Sequence, residues 1–269
     1  MNWQFAVATG GCADRPVVAT IDTFHRAGIT AVELGTPTGH FDPWAHEDVR
    51  ALRTRLRQLS VKPVAIHAPF GGPLDLTDPN PHHRHAAIGA ILSAATAIRE
   101  VGGARIVVHV SDVARNGQHV DQRLADATHS LTVLARALQQ MSVMLIVETP
   151  LPHLIGGHPD EFERVLAQLP LPVGVCFDTA HTTLGHHWDQ FVRSVGSRLV
   201  HVHASDHRGT FDDHLPPGEG VIDWGHIRRS LETLDFAGWI VLEVACPTDG
   251  ATAYFDRVMR QTSQLFGGV

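Results

Sequence analysis

The chain has 269 residues, 43% of them hydrophobic, which is enough to bury one large core, so one domain over residues 1–269 is expected. A formal net charge of −7 and a pI near 6.3 give no whole-molecule basic field to draw in nucleic acid or an anionic membrane, and favour a small-molecule partner. No apolar run reaches the ~18 residues of a membrane helix, and residues 1–10 do not read as a leader, so a cytoplasmic protein is expected.

In chain order, short apolar runs alternate with stretches of helical spacing. Strand-like runs at 5–9, 31–35, 64–68 and 106–110 lead to helical patterns at 16–27, 47–59, 82–101 and 120–140. The second half repeats this, with runs at 144–148, 173–178, 199–203 and 240–244 leading to helices at 160–169, 188–195, 224–234 and 252–265. Asp160, Asp223 and Pro16 sit at helix starts, and Gly102-Gly103 ends the third helix. Parallel strands need crossovers and a closed sheet has no edge, so eight such units predict an α/β fold, a single (β/α)8 barrel.

In such barrels the loops beyond the C-terminal strand ends build the active site. His67, His109, Glu148, Asp178, His181, His203, Asp212, His214 and Glu243 all fall at or just beyond those ends, on six consecutive strands. Packing alone does not ask for an imidazole or carboxylate there. With 20 histidines in the chain some are incidental, and His82, His83, His85, His186 and His187 read as solvated.

Glu148, Asp178, His203 and Glu243 come from neighbouring strands and could converge on one cation. Three oxygen donors and one imidazole suit Zn²⁺, Mn²⁺, Co²⁺ or Mg²⁺, with zinc or manganese expected. His67 and His109 could hold a second ion bridged by Glu148, and His181, Asp212 and His214 a third. His201 is expected to face the barrel wall or to orient a ligand, and Glu33 to be structural or a substrate contact.

The connections 69–81 and 205–223 are long and polar, as loops covering a site are, and the first reads as a lid. Within the second, Arg208 is the expected anchor for a substrate hydroxyl, carboxylate or phosphate, because a guanidinium binds paired oxygens. Cys12, Cys176 and Cys246 form no CxxC pair and read as small buried residues. Lys62, the only lysine, precedes the third strand at the opposite end of the barrel, which argues against Schiff-base chemistry.

The segments HAPFGGPLDLTDP, FDTAH, HVHASDHRG, DDHLPPGEGVIDW and VLEV, taken in order, resemble the xylose-isomerase-like TIM barrel superfamily. That superfamily holds sugar-phosphate isomerases and epimerases and is related to endonuclease IV. The resemblance implies that Glu148, Asp178, His203 and Glu243 correspond to the single-metal set of the epimerases, whose two glutamates also move protons. All nine residues correspond to the three-zinc set of endonuclease IV.

Two enzyme readings follow. In the first, Glu148 and Glu243 are catalytic in a metal-dependent isomerase or epimerase of a sugar or sugar phosphate, with His67 and Arg208 as substrate contacts and an enediolate as intermediate. In the alternative, up to three zinc ions serve a phosphoester hydrolase, either a small-molecule phosphoesterase or an AP endonuclease. The DNA version is disfavoured, because the first three loops carry no basic and aromatic series: 10–16 holds only Arg15 and 70–79 only Phe70, and Arg50, Arg53, Arg55 and Arg57 read as a solvated helix face. A homodimer is left open.

Overall fold

The computed structural model describes residues 3–117, 119–169 and 172–268. Met1 and Asn2, the first residues of the stretch read for a leader, lie outside the described residues. The first half runs β1 (Gln4–Ala8), α1 (Val17–Arg26), β2 (Ala31–Leu34), α2 (His46–Leu59), β3 (Lys62–His67), α3 (Pro81–Val101), β4 (Arg105–His109) and α4 (Val120–Gln140). The second half adds β5 (Met144–Glu148), α5 (Pro159–Ala167), β6 (Gly174–Asp178), α6 (Thr179–Leu184) and α7 (Trp188–Val195). It closes with β7 (Leu199–Ala204), α8 (Trp224–Thr233), β8 (Trp239–Leu242) and α9 (Ala251–Leu265).

The strands form a closed parallel barrel in the order β1 to β8, as the alternating pattern predicts. The helices have the expected causes. In α2, Val49, Leu52 and Leu56 repeat at helical spacing and are buried, Glu47 and Asp48 occupy the first turn, and Ser60 caps the end at φ 55°. Gly102 ends α3 at φ 103°, a conformation costly for a side chain with a Cβ. Asp223 caps α8 by accepting from the His226 amide at 2.9 Å. The start of α5 differs slightly from expectation: Pro159 opens it, and Asp160 sits inside the first turn.

Alternation along each strand sorts the side chains into two sets. The outward set packs under the helices, where Phe24 and Phe255 meet edge to face at 4.6 Å. The inward set fills the barrel with Ala6, Ala8, Ala31, Ala65, Val107, Ile146, Cys176, Trp239 and Val241. Lys62 opens β3 and stacks its ammonium on the Trp239 ring at 4.9 Å, closing the N-terminal end. Among the described residues no helix is long and apolar enough to cross a membrane.

Candidate metal centre

The inward positions nearest the C-terminal strand ends carry the polar chemistry. Glu33, His67, His109, Glu148, Asp178, His203 and Glu243 each stand two residues beyond another inward-facing side chain, so strand period alone aims them at the axis. The register completes the alignment: His109 lies beside Glu148, and Asp178 beside His203. One donor atom from each of Glu148, Asp178, His203 and Glu243 lies within 4.8 Å of the others.

Asp178 has two tasks. Its Oδ1 accepts the His181 amide at 2.8 Å and caps α6, while its Oδ2 is buried without a hydrogen-bond partner. The cap fixes His181 one turn away from the carboxylate. The sequence reading had no helix at 179–184, because a six-residue helix this close to a strand leaves too little periodicity to detect.

Each of the remaining candidate histidines is braced from behind. His67 Nδ1 donates to the Ala68 carbonyl at 3.0 Å, His181 Nδ1 to the Thr149 carbonyl at 2.9 Å, and His214 Nδ1 to the Glu243 carbonyl at 3.0 Å. His109 Nδ1 donates to Asp112 at 2.7 Å. Since these acceptors fix the outer nitrogen as N–H, the inner nitrogen turns inward. The His67 and His109 Nε2 atoms each lie 3.1 Å from Glu148 Oε2, and the His181 and His214 Nε2 atoms each lie 3.2 Å from Asp212 Oδ2. An imidazole lone pair cannot rest against a carboxylate oxygen unless a proton or a cation stands between them.

The electrostatics say the same. Burial disfavours charge on His109, but Glu148 and then Asp112 outweigh it and lift its pKa to about 10. His181 reaches about 10 in the same way, through Asp178 and Asp212. Burial would raise Glu243, yet His203 brings it down to about 2. Asp178 goes the other way, to about 6, because burial and the neighbouring carboxylates exceed the pull of His181. The buried Oδ2 of Asp178 and Nδ1 of His203, both without hydrogen-bond partners, mark where a cation fits the donor set.

The long loop after β7 is held by Asp206, a buried carboxylate not singled out in the sequence. It accepts from the Gly218 amide at 2.9 Å, the Ile222 amide at 3.1 Å and the Trp224 indole at 2.8 Å. A Cβ on Gly220 would come within 2.2 Å of its Oδ1, which is why the GEG stretch folds over it. His214 sits at φ 48°, pinned by the Asp206–Leu215 bridge and by the Ala245 amide.

The loop after β3 is only partly free to move. Asp75 is buried and accepts from Thr77, Ser111 and Arg123, which ties down its far half. Phe70 packs over the His67 and His109 rings at 5.0 and 4.4 Å. Beside it opens a cavity of about 550 Å³, lined by Glu33, Thr36, Thr38, Trp44, His67, Phe70, Leu74 and Glu243 among others.

Three expectations meet a different geometry. Arg208 does not line this cavity; its side chain is 68% exposed and pairs with Asp213 at 2.9 Å. His201 is two residues from His203 and therefore on the same strand face, so it points inward instead of into the wall, with Nε2 2.8 Å from Glu33 Oε2. His187 is half-buried beside His158, not solvated.

The sequence profile of the family described as xylose isomerase-like TIM barrel matches residues 21–261. The chain belongs to that family. An uncharacterised protein of Methanocaldococcus jannaschii is 23% identical over 188 residues, covering 67% of this chain and 64% of that protein. Among solved structures, a D-tagatose 3-epimerase-like protein superposes with a TM-score of 0.85 at 18% identity, covering 98% of both chains. D-psicose 3-epimerase with D-tagatose from Clostridium cellulolyticum H10 superposes with a TM-score of 0.75 at 17% identity, over 97% of this chain and 91% of that one. At these identities the superpositions establish shared fold. The family match spans all nine candidate ligands.

Proposed function

We propose that the chain is a divalent-metal-dependent isomerase or epimerase of a small, uncharged polyhydroxy carbonyl compound. The observation that carries this reading is a pair of glutamates in one cluster beside a cavity with no lysine or arginine among its lining residues. The volume of about 550 Å³ suits a small molecule, and Glu243 on its wall disfavours an anionic substrate such as a sugar phosphate. The epimerases of the same fold add weight, one of them solved with D-tagatose.

A divalent ion, zinc or manganese, held by Glu148, Asp178, His203 and Glu243 would supply Lewis-acid polarisation of the substrate's carbonyl and adjacent hydroxyl. Glu148 and Glu243 flank the His203 ring, with oxygens 3.2 and 3.0 Å from its Nδ1. One takes the proton from the carbon beside the carbonyl and the other returns it. Glu243 is partly exposed and reaches the cavity, whereas Glu148 is deep and gripped by imidazoles. His67 lines the cavity, where it would contact the substrate.

The test is proton exchange. With added Mn²⁺ or Zn²⁺ in deuterated water, a panel of ketoses and aldoses should exchange a carbon-bound proton, seen by NMR. No exchange across the panel from metal-loaded protein would overturn the reading.

A second reading rests on two further pairs of imidazoles, His67 and His109 on Glu148 and His181 and His214 on Asp212. With Glu148 and Asp212 they would suit further zinc ions, as a multinuclear phosphoester hydrolase needs. His214→Ala separates the two: a hydrolase loses an ion and most activity, while the isomerase keeps its central ion and turns over.

A further inference from the structure

Glu33 is nearly inaccessible to water inside the barrel, and nothing about packing calls for a carboxylate there. Its register neighbours are Ala8 on β1 and Ala65 on β3, in a layer otherwise small and apolar. An ionised group in that setting is costly unless other charges compensate it.

Two imidazoles from β7 stand against it. Glu33 Oε1 lies 3.0 Å from His203 Nε2 and Oε2 lies 2.8 Å from His201 Nε2. A carboxylate only accepts, so His203 Nε2 carries the hydrogen and its Nδ1 turns to Glu148 and Glu243.

The barrel is irregular at just these strands. Between β2 and β3 the register slips at Val32/Glu33, and between β6 and β7 at Val175/Cys176, where Cys176 comes to face His201. The other strand pairs show no slip. Bulges are common beside functional sites, and these two lie next to Glu33 and the β7 histidines.

Other ring-bracing contacts at the centre are weaker in kind. His67, His181 and His214 lean on backbone carbonyls, and His109 leans on Asp112, which is partly exposed. His203, by contrast, is backed by a buried carboxylate.

We propose that Glu33 is a positioning residue for the ion site: it holds the His203 ring from behind with Nδ1 presented to the cluster, while His201 packs against its other oxygen. This rests on the reading that the cluster binds a divalent ion. A carboxylate behind a ligating imidazole orients it and raises its basicity.

The probe is Co²⁺ added to chelator-stripped protein, with affinity read by competition against a chromophoric chelator and geometry by the visible absorption of the bound ion. Glu33→Gln keeps the shape and removes the charge. It should bind Co²⁺ about ten- to a hundredfold more weakly, with an altered spectrum, while the stripped variant unfolds cooperatively like the parent. Unchanged affinity and spectrum would overturn the proposal. If Glu33→Gln does not fold, Glu33→Asp draws the carboxylate back from His203 and is read by the same two measurements. Parent protein that binds no Co²⁺ would overturn the ion site itself, and the role of Glu33 with it.

Discussion

Strands β1 to β3 and strands β5 to β8 present different chemistry to the same space. The later arc is crowded: Glu148, Asp178, His203 and Glu243 bring donor atoms within 4.8 Å of one another, and His181 follows directly. The earlier arc offers Ala8, Gly10, Gly35, Thr36 and Pro37, with Trp44 and Phe70 about half exposed above them. Charge is concentrated where an ion can neutralise it, and room is left where a substrate must enter. His67, at the β3 edge of the open arc, and Glu243, beyond β8 beside β1, both line the cavity.

The largest expected effect comes from breaking that seam. Glu243→Gln keeps an oxygen donor but removes the proton acceptor, so turnover should fall by about 10²–10⁴-fold, while far-UV circular dichroism still reports a folded barrel. Full activity in the variant would return Glu243 to a purely ligating role and leave the division between the arcs without a catalytic meaning.

A smaller effect is expected on the open arc. Trp44 lines the cavity and lies outside the ion cluster, so Trp44→Ala should raise KM by about tenfold, the scale of ~1–2 kcal/mol of lost apolar contact, with kcat nearly unchanged. A fall in kcat at constant KM would place Trp44 against the reacting atoms and blur the contrast.

How much of this was legible in the sequence follows from the range of the forces involved. The eight strands and one long helix between each pair were legible because apolar period is local, the six-residue α6 was not, and the strand-end positions of the ligand candidates were legible from the same pattern. The inward turn of His201 and Glu33 follows from strand period, but their meeting does not: it comes from closure of the barrel, which brings together residues 170 apart in the chain. The signal available for Glu33 was an acidic residue inside an otherwise apolar strand. Arg208 was read as an anchor from its motif, but Asp213, five residues on, engages it. Asp112 was there to be found, as a carboxylate three residues after a strand-end histidine.

The smallest expected effect tests whether the charged arc is as compressed as its distances imply. In protein stripped of metal, His109 and His181 titrate near pH 10, above the ordinary 6.5, because Glu148 and Asp178 overcome the cost of burial. Their contribution to stability is therefore complete below pH 6.5 and is lost as pH rises through about 10. Asp178, raised by burial from 3.8 to about 6, adds a penalty that grows as it ionises across that interval. Glu243 has the opposite sense: lowered by His203 to about 2, it stabilises above pH 4.5 and loses this only as pH falls through about 2. Above neutral pH both carboxylate contributions are constant, so the imidazoles set the slope. Thermal unfolding with a chelator present should shift downward by several degrees between neutral pH and pH 10, on the scale where ~1 kcal/mol moves a chain of this size by about 2–4 °C. Excess Zn²⁺ or Mn²⁺ should flatten or reverse the slope, because the ion takes the place of the protons that the imidazoles give up. A stripped protein equally stable at both pH values would mean that the imidazoles and carboxylates are not pressed together, and the contrast between the two arcs would lose its electrostatic half.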